Sequence, residues 1–187
     1  MPGILPAGSL LLLDACCVIN LFATGRCEEI LRRLPYAFAT SRLIAKTEIL
    51  SLAAGRPSAP SKREVIPSAR LEDSDDIAVL DLRGQEEVAR FVRFADYLDR
   101  GEASVCTLAV TRGGVVATDD RKTLSFLRRM TPQVPTIQTP EILWEWAGLS
   151  RVSDAEIGVV LRAVRDRARF LPRRNAPHFD WWERFLR

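Results

Sequence analysis

The 187-residue chain has one histidine, four cysteines with no CxxC pair, and no uncharged apolar stretch near the roughly 18 to 20 residues that a membrane helix needs. A lone His178 excludes metal centres built from several histidines and nucleases that use a histidine acid/base pair. Without a Gly-x-Ser-x-Gly elbow, a Ser-His-Asp triad has no nucleophile. Cys16, Cys17, Cys27 and Cys106 fit neither a zinc knuckle nor a thioredoxin-like motif, and their apolar neighbours suit buried thiols in a reducing compartment. The apolar stretch around residues 10–22 lacks a basic flank and is interrupted by Asp14, so it does not read as a signal peptide. The expectation is a cytoplasmic protein with no membrane association.

What is present is a chain 47% hydrophobic and 27% charged, enough for one compact domain with a core. The net charge of +3 conceals an asymmetry. Residues 151–187 carry nine Arg and five acids, a net +4, which leaves 18 basic and 19 acidic residues in the body, a net −1. The apolar run at residues 10–13 predicts a strand covered on both faces. Further strands are expected at 36–39, 77–82, 115–118 and 136–138. Helices are expected at 17–24, 26–34, from Thr40 or Ser41 to about 54, and at 85–98, 102–111, 121–130 and 141–147. A Pro-, Ser- and charge-rich stretch at 56–76 reads as an insertion with a short strand at Val65 and Ile66. Alternating strands and helices predict an α/β fold with a central parallel sheet in a three-layer α/β/α arrangement. Beyond a body of residues 1–148, the spacing of Ser153 and Glu156 opens an Arg-rich helix to about residue 170, the core of a helical C-terminal extension at 149–187.

Asp14, Glu48, Glu102 and Asp119 stand where the local pattern predicts burial. Asp14 and Asp119 directly follow apolar strands, whose C-terminal ends line the ligand crevice of a parallel sheet. Glu102 shares a helical face with Val105, Cys106 and Ala109, and Glu48 lies between Ile44 and Leu52 at i−4 and i+4. Desolvating an unpaired carboxylate costs several kcal/mol, so a shared hard cation, Mg²⁺ or Mn²⁺, accounts for the set economically. Taken singly, Asp14 serves equally as a helix N-cap, Glu102 as a first-turn acid favoured by the helix dipole, and Asp119 with Asp120 as caps for a helix at Arg121.

The segments LLLLDACCVINLFATG, SRLIAKTEIL, GEASVCTLAV and VVATDDRKTLSFL resemble, in order and spacing, the four motifs of PIN-domain ribonucleases, above all the VapC-like toxins of toxin–antitoxin pairs. The likeness covers about residues 9 to 147. It implies a PIN-like fold for the body and Mg²⁺- or Mn²⁺-dependent endoribonuclease activity on RNA. It also implies a cognate antitoxin and a homodimer. By position it makes Asp14, Glu48, Glu102, Asp119 and Asp120 catalytic, with Asp14, Glu102, Asp119 and Asp120 as metal ligands. Thr-x-Asp spacing selects Asp120, whereas strand-end geometry favours Asp119. Ala15 and Cys16 stand where the family often has a hydroxyl, and Glu102 where it usually has Asp. These departures sustain a second reading, a catalytically weak or inactive PIN-like module that binds nucleic acid or protein. A haloacid-dehalogenase-like phosphatase would need a second Asp where Cys16 stands.

Arg121, Lys122, Arg128 and Arg129, with Lys62 and Arg63 on the insertion, are the candidate RNA contacts near the crevice. In the extension, arginines between residues 162 and 174 precede Phe179, Trp181 and Trp182. That composition suits either phosphate binding with base stacking or aromatics docked on the body.

Overall fold

A computed structural model describes residues 3–48, 50–54, 62–130 and 133–187. The first half runs β1 (Leu10–Leu13), α1 (Ala15–Ala23), α2 (Cys27–Arg33), β2 (Ala37–Ser41), α3 (Arg42–Thr47), β3 (Ser51–Ala54), β4 (Lys62–Val65), α4 (Ala69–Glu72) and β5 (Ala78–Leu80). The second half runs α5 (Gly84–Ala95), α6 (Arg100–Arg112), β6 (Val115–Ala117), α7 (Arg121–Arg128), β7 (Thr136–Ile137), α8 (Thr139–Ser150) and α9 (Asp154–Ala163). A π-helical turn at Val164–Ala168 and α10 (Phe179–Arg184) complete it.

The chain is an α/β fold whose five central strands are all parallel, in the order β5-β2-β1-β6-β7. Leu11, Leu12 and Leu13 are fully buried in the middle strand, which explains why β1 is apolar at every position rather than at alternate ones. α6 packs across β1, β2 and β6 and is flanked by α3 and α5, while α1, α2 and α8 pack on one another. The order places β1 and β6 side by side at the point where the chain changes direction across the sheet. There the loops after adjacent strands diverge and leave a crevice.

Glu87 clamps α5 to α6. Its carboxylate accepts from Arg112 Nε at 2.9 Å and a second Arg112 nitrogen at 3.0 Å, from the Arg83 N–H at 2.5 Å and from the Thr111 hydroxyl at 3.0 Å. The guanidinium of Arg112 is the largest influence holding Glu87 down near 2, so this clamp persists across the ordinary pH range.

Three expectations need correction. The helix expected from residue 40 or 41 to 54 stops at Thr47, and residues 51–54 form a strand instead. β3 pairs antiparallel with β4 from Ser51↔Val65 to Ala54↔Lys62, and this hairpin buries Leu50, Leu52 and Ile66. Helical periodicity there lost to a pairing that only the folded chain supplies. The stretch expected as an insertion contains β4 and α4, although residues 55–61 lie outside the described residues. The Arg-rich helix expected to reach residue 170 ends as α-helix at Ala163 and continues as the π-helical turn.

The C-terminal extension shares the core of the body: Ile157, Val160, Leu161, Val164, Trp182 and Phe185 belong to the same buried cluster as the central leucines. The π-helical turn packs on α1 and β3, and α10 packs on α8. Arg162 donates to the Phe185 carbonyl at 3.3 Å, and Arg167 to the Ala23 carbonyl at 3.2 Å. Among the described residues no helix is long and apolar enough to cross a membrane.

Candidate active site

Asp14 emerges from the C-terminal end of β1 as the N-cap of α1. It accepts the Ala15 N–H at 2.8 Å through Oδ1 and the Thr118 hydroxyl at 2.8 Å through Oδ2. It is 3% exposed, and burial pushes its carboxyl up despite those hydrogen bonds. Thr118, just beyond β6, also accepts the Asp120 N–H at 3.1 Å. One hydroxyl thus joins the ends of the two strands that flank the crevice. It supplies at Asp14 an oxygen donor that Ala15 and Cys16 do not provide.

Glu48 reaches the same place by a route the sequence concealed. It is the C-cap of α3, with an extended backbone. Its carboxylate lies over the first turn of α6, where a Cβ on Gly101 would fall 1.7 Å from Glu48 Oε1. Only glycine at 101 lets the carboxylate come so close. Ser41 caps α3 through the Ile44 N–H, and Ser104 of α6 donates to Ser41 Oγ at 2.6 Å, which fixes the two helices to each other. Glu102 sits one residue beyond that glycine and accepts the Asp99 N–H at 3.1 Å. The buried Thr123 hydroxyl nearby favours the charged form of Glu102.

Asp14, Glu48, Glu102 and Asp120 lie near enough for their charges to act on one another, although no three of them bring ligand oxygens within 4.8 Å of one another. Glu48 is pushed up to about 7 by burial first and then by the charges of Asp14, Glu102 and Asp99. Glu102 is raised by burial, with Asp14 and Asp120 adding to it. Asp120 caps α7 through one oxygen, accepting the Lys122 and Thr123 N–H groups at 2.7 and 2.9 Å. None of the ion pairs among the described residues involves these carboxylates. Like charges held together without a basic partner favour either protonation or a shared cation.

Asp119 is turned to a different task. Its carboxylate accepts from Asn20 Nδ2 at 3.0 Å, from the Thr139 N–H at 3.1 Å and from the Thr139 hydroxyl at 2.5 Å, and the Cys17 thiol lies 3.6 Å away. Protein donors therefore occupy both oxygens, and Asp119 ties α1 to the start of α8. Cys16, Cys17 and Asp119 do bring three ligand atoms within 4.8 Å of one another. Burial holds the Cys17 thiol well above its ordinary range, however, and both Asp119 oxygens are already engaged by hydrogen bonds from Asn20 and Thr139.

Sequence reasoning did not find Thr118, Asn20, Thr139 or Gly101. Polar residues one or two positions from a strand-end acid, and a glycine next to a buried one, were the available signals. His178 is stacked on Trp144, with ring centroids 4.3 Å apart, and takes no part in the acid set.

Beside Cys16, Asp119 and Asp120 opens a cleft of about 580 Å³. Arg121 and Arg128 line it from α7, and Arg169, Phe170 and Arg173 line it from the segment after the π-helical turn. Of the other candidate contacts, Lys122 lies 3.9 Å from Asp99, Arg129 donates to the Ser125 carbonyl, and Arg63 is exposed on β4 away from the cleft. The side chain of Lys62 lies outside the described residues.

The balance of repulsion and burial predicts how stability depends on pH in the absence of divalent metal. Glu48 binds its proton more tightly in the folded protein, at about 7, than in the unfolded chain, near 4.5. Stability therefore falls as pH rises from about 4.5 to about 7 and is flat above that. Thermal melts in EDTA should show a Tm lower by a few degrees at pH 8 than at pH 5, and Glu48→Gln should remove most of the difference. An unchanged slope in that variant would show that Glu48 is not held among these acids.

The chain matches no protein-family model and no curated protein.

Proposed function

We propose that the protein is a Mg²⁺- or Mn²⁺-dependent endoribonuclease. The observation that carries this reading is that Asp14, Glu48, Glu102 and Asp120 act on one another's charge at the sheet's switch point, with no ion pair to a basic side chain among the described residues. These are hard oxygen donors, the kind that a small, partly hydrated divalent ion takes. Asp14, Glu102 and Asp120 would hold it, with Thr118 orienting Asp14 and Asp119 tying the loop to α1 and α8 through Asn20 and Thr139. Such an ion lowers the pKa of a bound water and offsets charge on the scissile phosphate. Glu48, with a carboxyl pushed up to about 7 in the metal-free protein, would orient the attacking water and accept its proton. The resemblance of the four motifs to PIN-domain ribonucleases supports RNA as the substrate and VapC-like toxins as the nearest functional type. A cognate antitoxin and a homodimer rest on that resemblance alone, as does a cytoplasmic location on the sequence.

The test is cleavage of a labelled single-stranded RNA on addition of Mg²⁺ or Mn²⁺, with suppression by EDTA and dependence on Asp14. A rise in Tm with either metal but no cleavage of any RNA offered would favour the non-catalytic module. Absence of both a rise in Tm and cleavage with either metal would overturn the metal site itself.

A further inference from the structure

We infer that the segment at residues 169–176 forms one wall of a groove for the backbone of a single-stranded nucleic acid, in which Arg173 and, from α7, Arg128 take phosphates on either side of the cleaved one. The inference rests on the nuclease reading but adds a part that lies beyond the four motifs. The cleft is built from two distant stretches of chain, α7 and this tail segment, and its floor includes Asp119 and Asp120. Its volume of about 580 Å³ suits a few nucleotides of one strand, not a duplex.

The tail wall is held in place by its own packing. Phe170 and Trp182 meet edge to face at 5.7 Å between ring centroids, Trp182 is 1% exposed, and Pro172, just before Arg173, is buried. The Ala176 N–H bonds back to the Arg173 carbonyl at 2.9 Å, which closes the segment as a turn. Among the described residues, neither Arg121, Arg128 nor Arg173 forms an ion pair, although many arginines elsewhere do, including Arg26, Arg32, Arg42 and Arg112. Arg128 and Arg173 are exposed side chains lining a concave surface whose floor is acidic. Phe170 in the same wall offers a ring face or edge to a base, and stacking of this kind tolerates any base. Guanidinium groups beside an aromatic ring are the combination that single-strand grooves use.

The experiment measures binding of a labelled, unstructured RNA strand of about twelve nucleotides by fluorescence anisotropy in EDTA, so that cleavage does not enter. Each phosphate contact to a single strand contributes about 0.7 to the slope of log K against log salt. The double variant Arg128→Ala/Arg173→Ala should therefore lower the slope by about 1.4 and weaken binding about 25-fold near 0.1 M salt. Arg173→Lys should recover most of the loss due to Arg173. Arg174→Ala, a neighbour that does not line the cleft, should change binding little. An unchanged slope in the double variant, or an equal loss from Arg174→Ala, would overturn the groove. Tighter binding of an oligoglutamate than of RNA would assign the cleft to a protein partner and overturn it too. Metal-dependent cleavage with an unchanged slope would remove only the groove, whereas arginine-dependent binding without cleavage would remove only the nuclease reading.

Discussion

Asp14→Asn should abolish Mg²⁺-dependent RNA cleavage, by at least about a hundredfold, while leaving the Tm in EDTA equal to or above that of the parent protein. The two expectations come from the same geometry. Asp14 is 3% exposed, its carboxyl is raised by burial, and Glu48, Glu102 and Asp120 lie close enough to repel it. An amide of the same shape can still accept the Ala15 N–H and meet the Thr118 hydroxyl, now as donor, so the local frame survives without a buried charge. What it cannot do is hold a divalent ion. Mg²⁺ should therefore raise the Tm of the parent but not of the variant, because only a ligand bound to the folded state stabilises it, by about 2.7 kcal/mol at a hundredfold excess over Kd. Cleavage retained at saturating Mg²⁺ would exclude Asp14 as a ligand. A marked fall in Tm would show that its carboxylate serves the fold first.

Trp182→Ala should be among the most damaging single changes in the chain, costing about 3 to 5 kcal/mol. For a protein of this size that corresponds to a fall in Tm of about 6 to 20 °C. Trp182 is 1% exposed, sits in the common core and backs Phe170. Its loss opens a cavity under the tail segment that lines the cleft. Calorimetry would give the stability change, and RNA binding below the variant's Tm would fall with it if the tail wall is a working part of the cleft. A loss below about 1 kcal/mol would mean that the extension contributes little to the folded core. Removal of everything beyond residue 150 would strip cover from the same core and is a poorer experiment, since a failure to fold would report nothing about the cleft.

The element order and the parallel sheet were legible because their signals are local. Continuous leucines at β1 announce a strand covered on both faces, and β2 and β6 each lead into a helix capped by a side chain, Ser41 and Asp120. Asp14 and Glu102 were legible for the same reason, one at a strand end and one in the first turn of an apolar helix. Glu48 was identified as an acid of interest, but on a helix that does not extend that far. Its position depends on β3 turning away to pair with β4, some ten residues on. Asp119 and Asp120 could not be separated by pattern, because both line the cleft and which one keeps an oxygen open is set by the donors that each meets. Asn20 and Thr139, from two other helices, claim Asp119, and the backbone of α7 takes one oxygen of Asp120 and leaves the other open.

By itself, the sequence determined an α/β chain with a covered parallel sheet, acids concentrated at strand and helix ends, and a basic tail on a near-neutral body. Periodicity, capping and charge act over a few residues and can be read there. Only the tertiary structure decided which acids act on one another, that Gly101 leaves room for Glu48 and Thr118 joins Asp14 to the Asp120 backbone, and that the tail's arginines face α7 across a cleft. Those outcomes depend on contacts between residues far apart in the chain, made only when the sheet brings β1 and β6 together and the extension buries its aromatics on the same core.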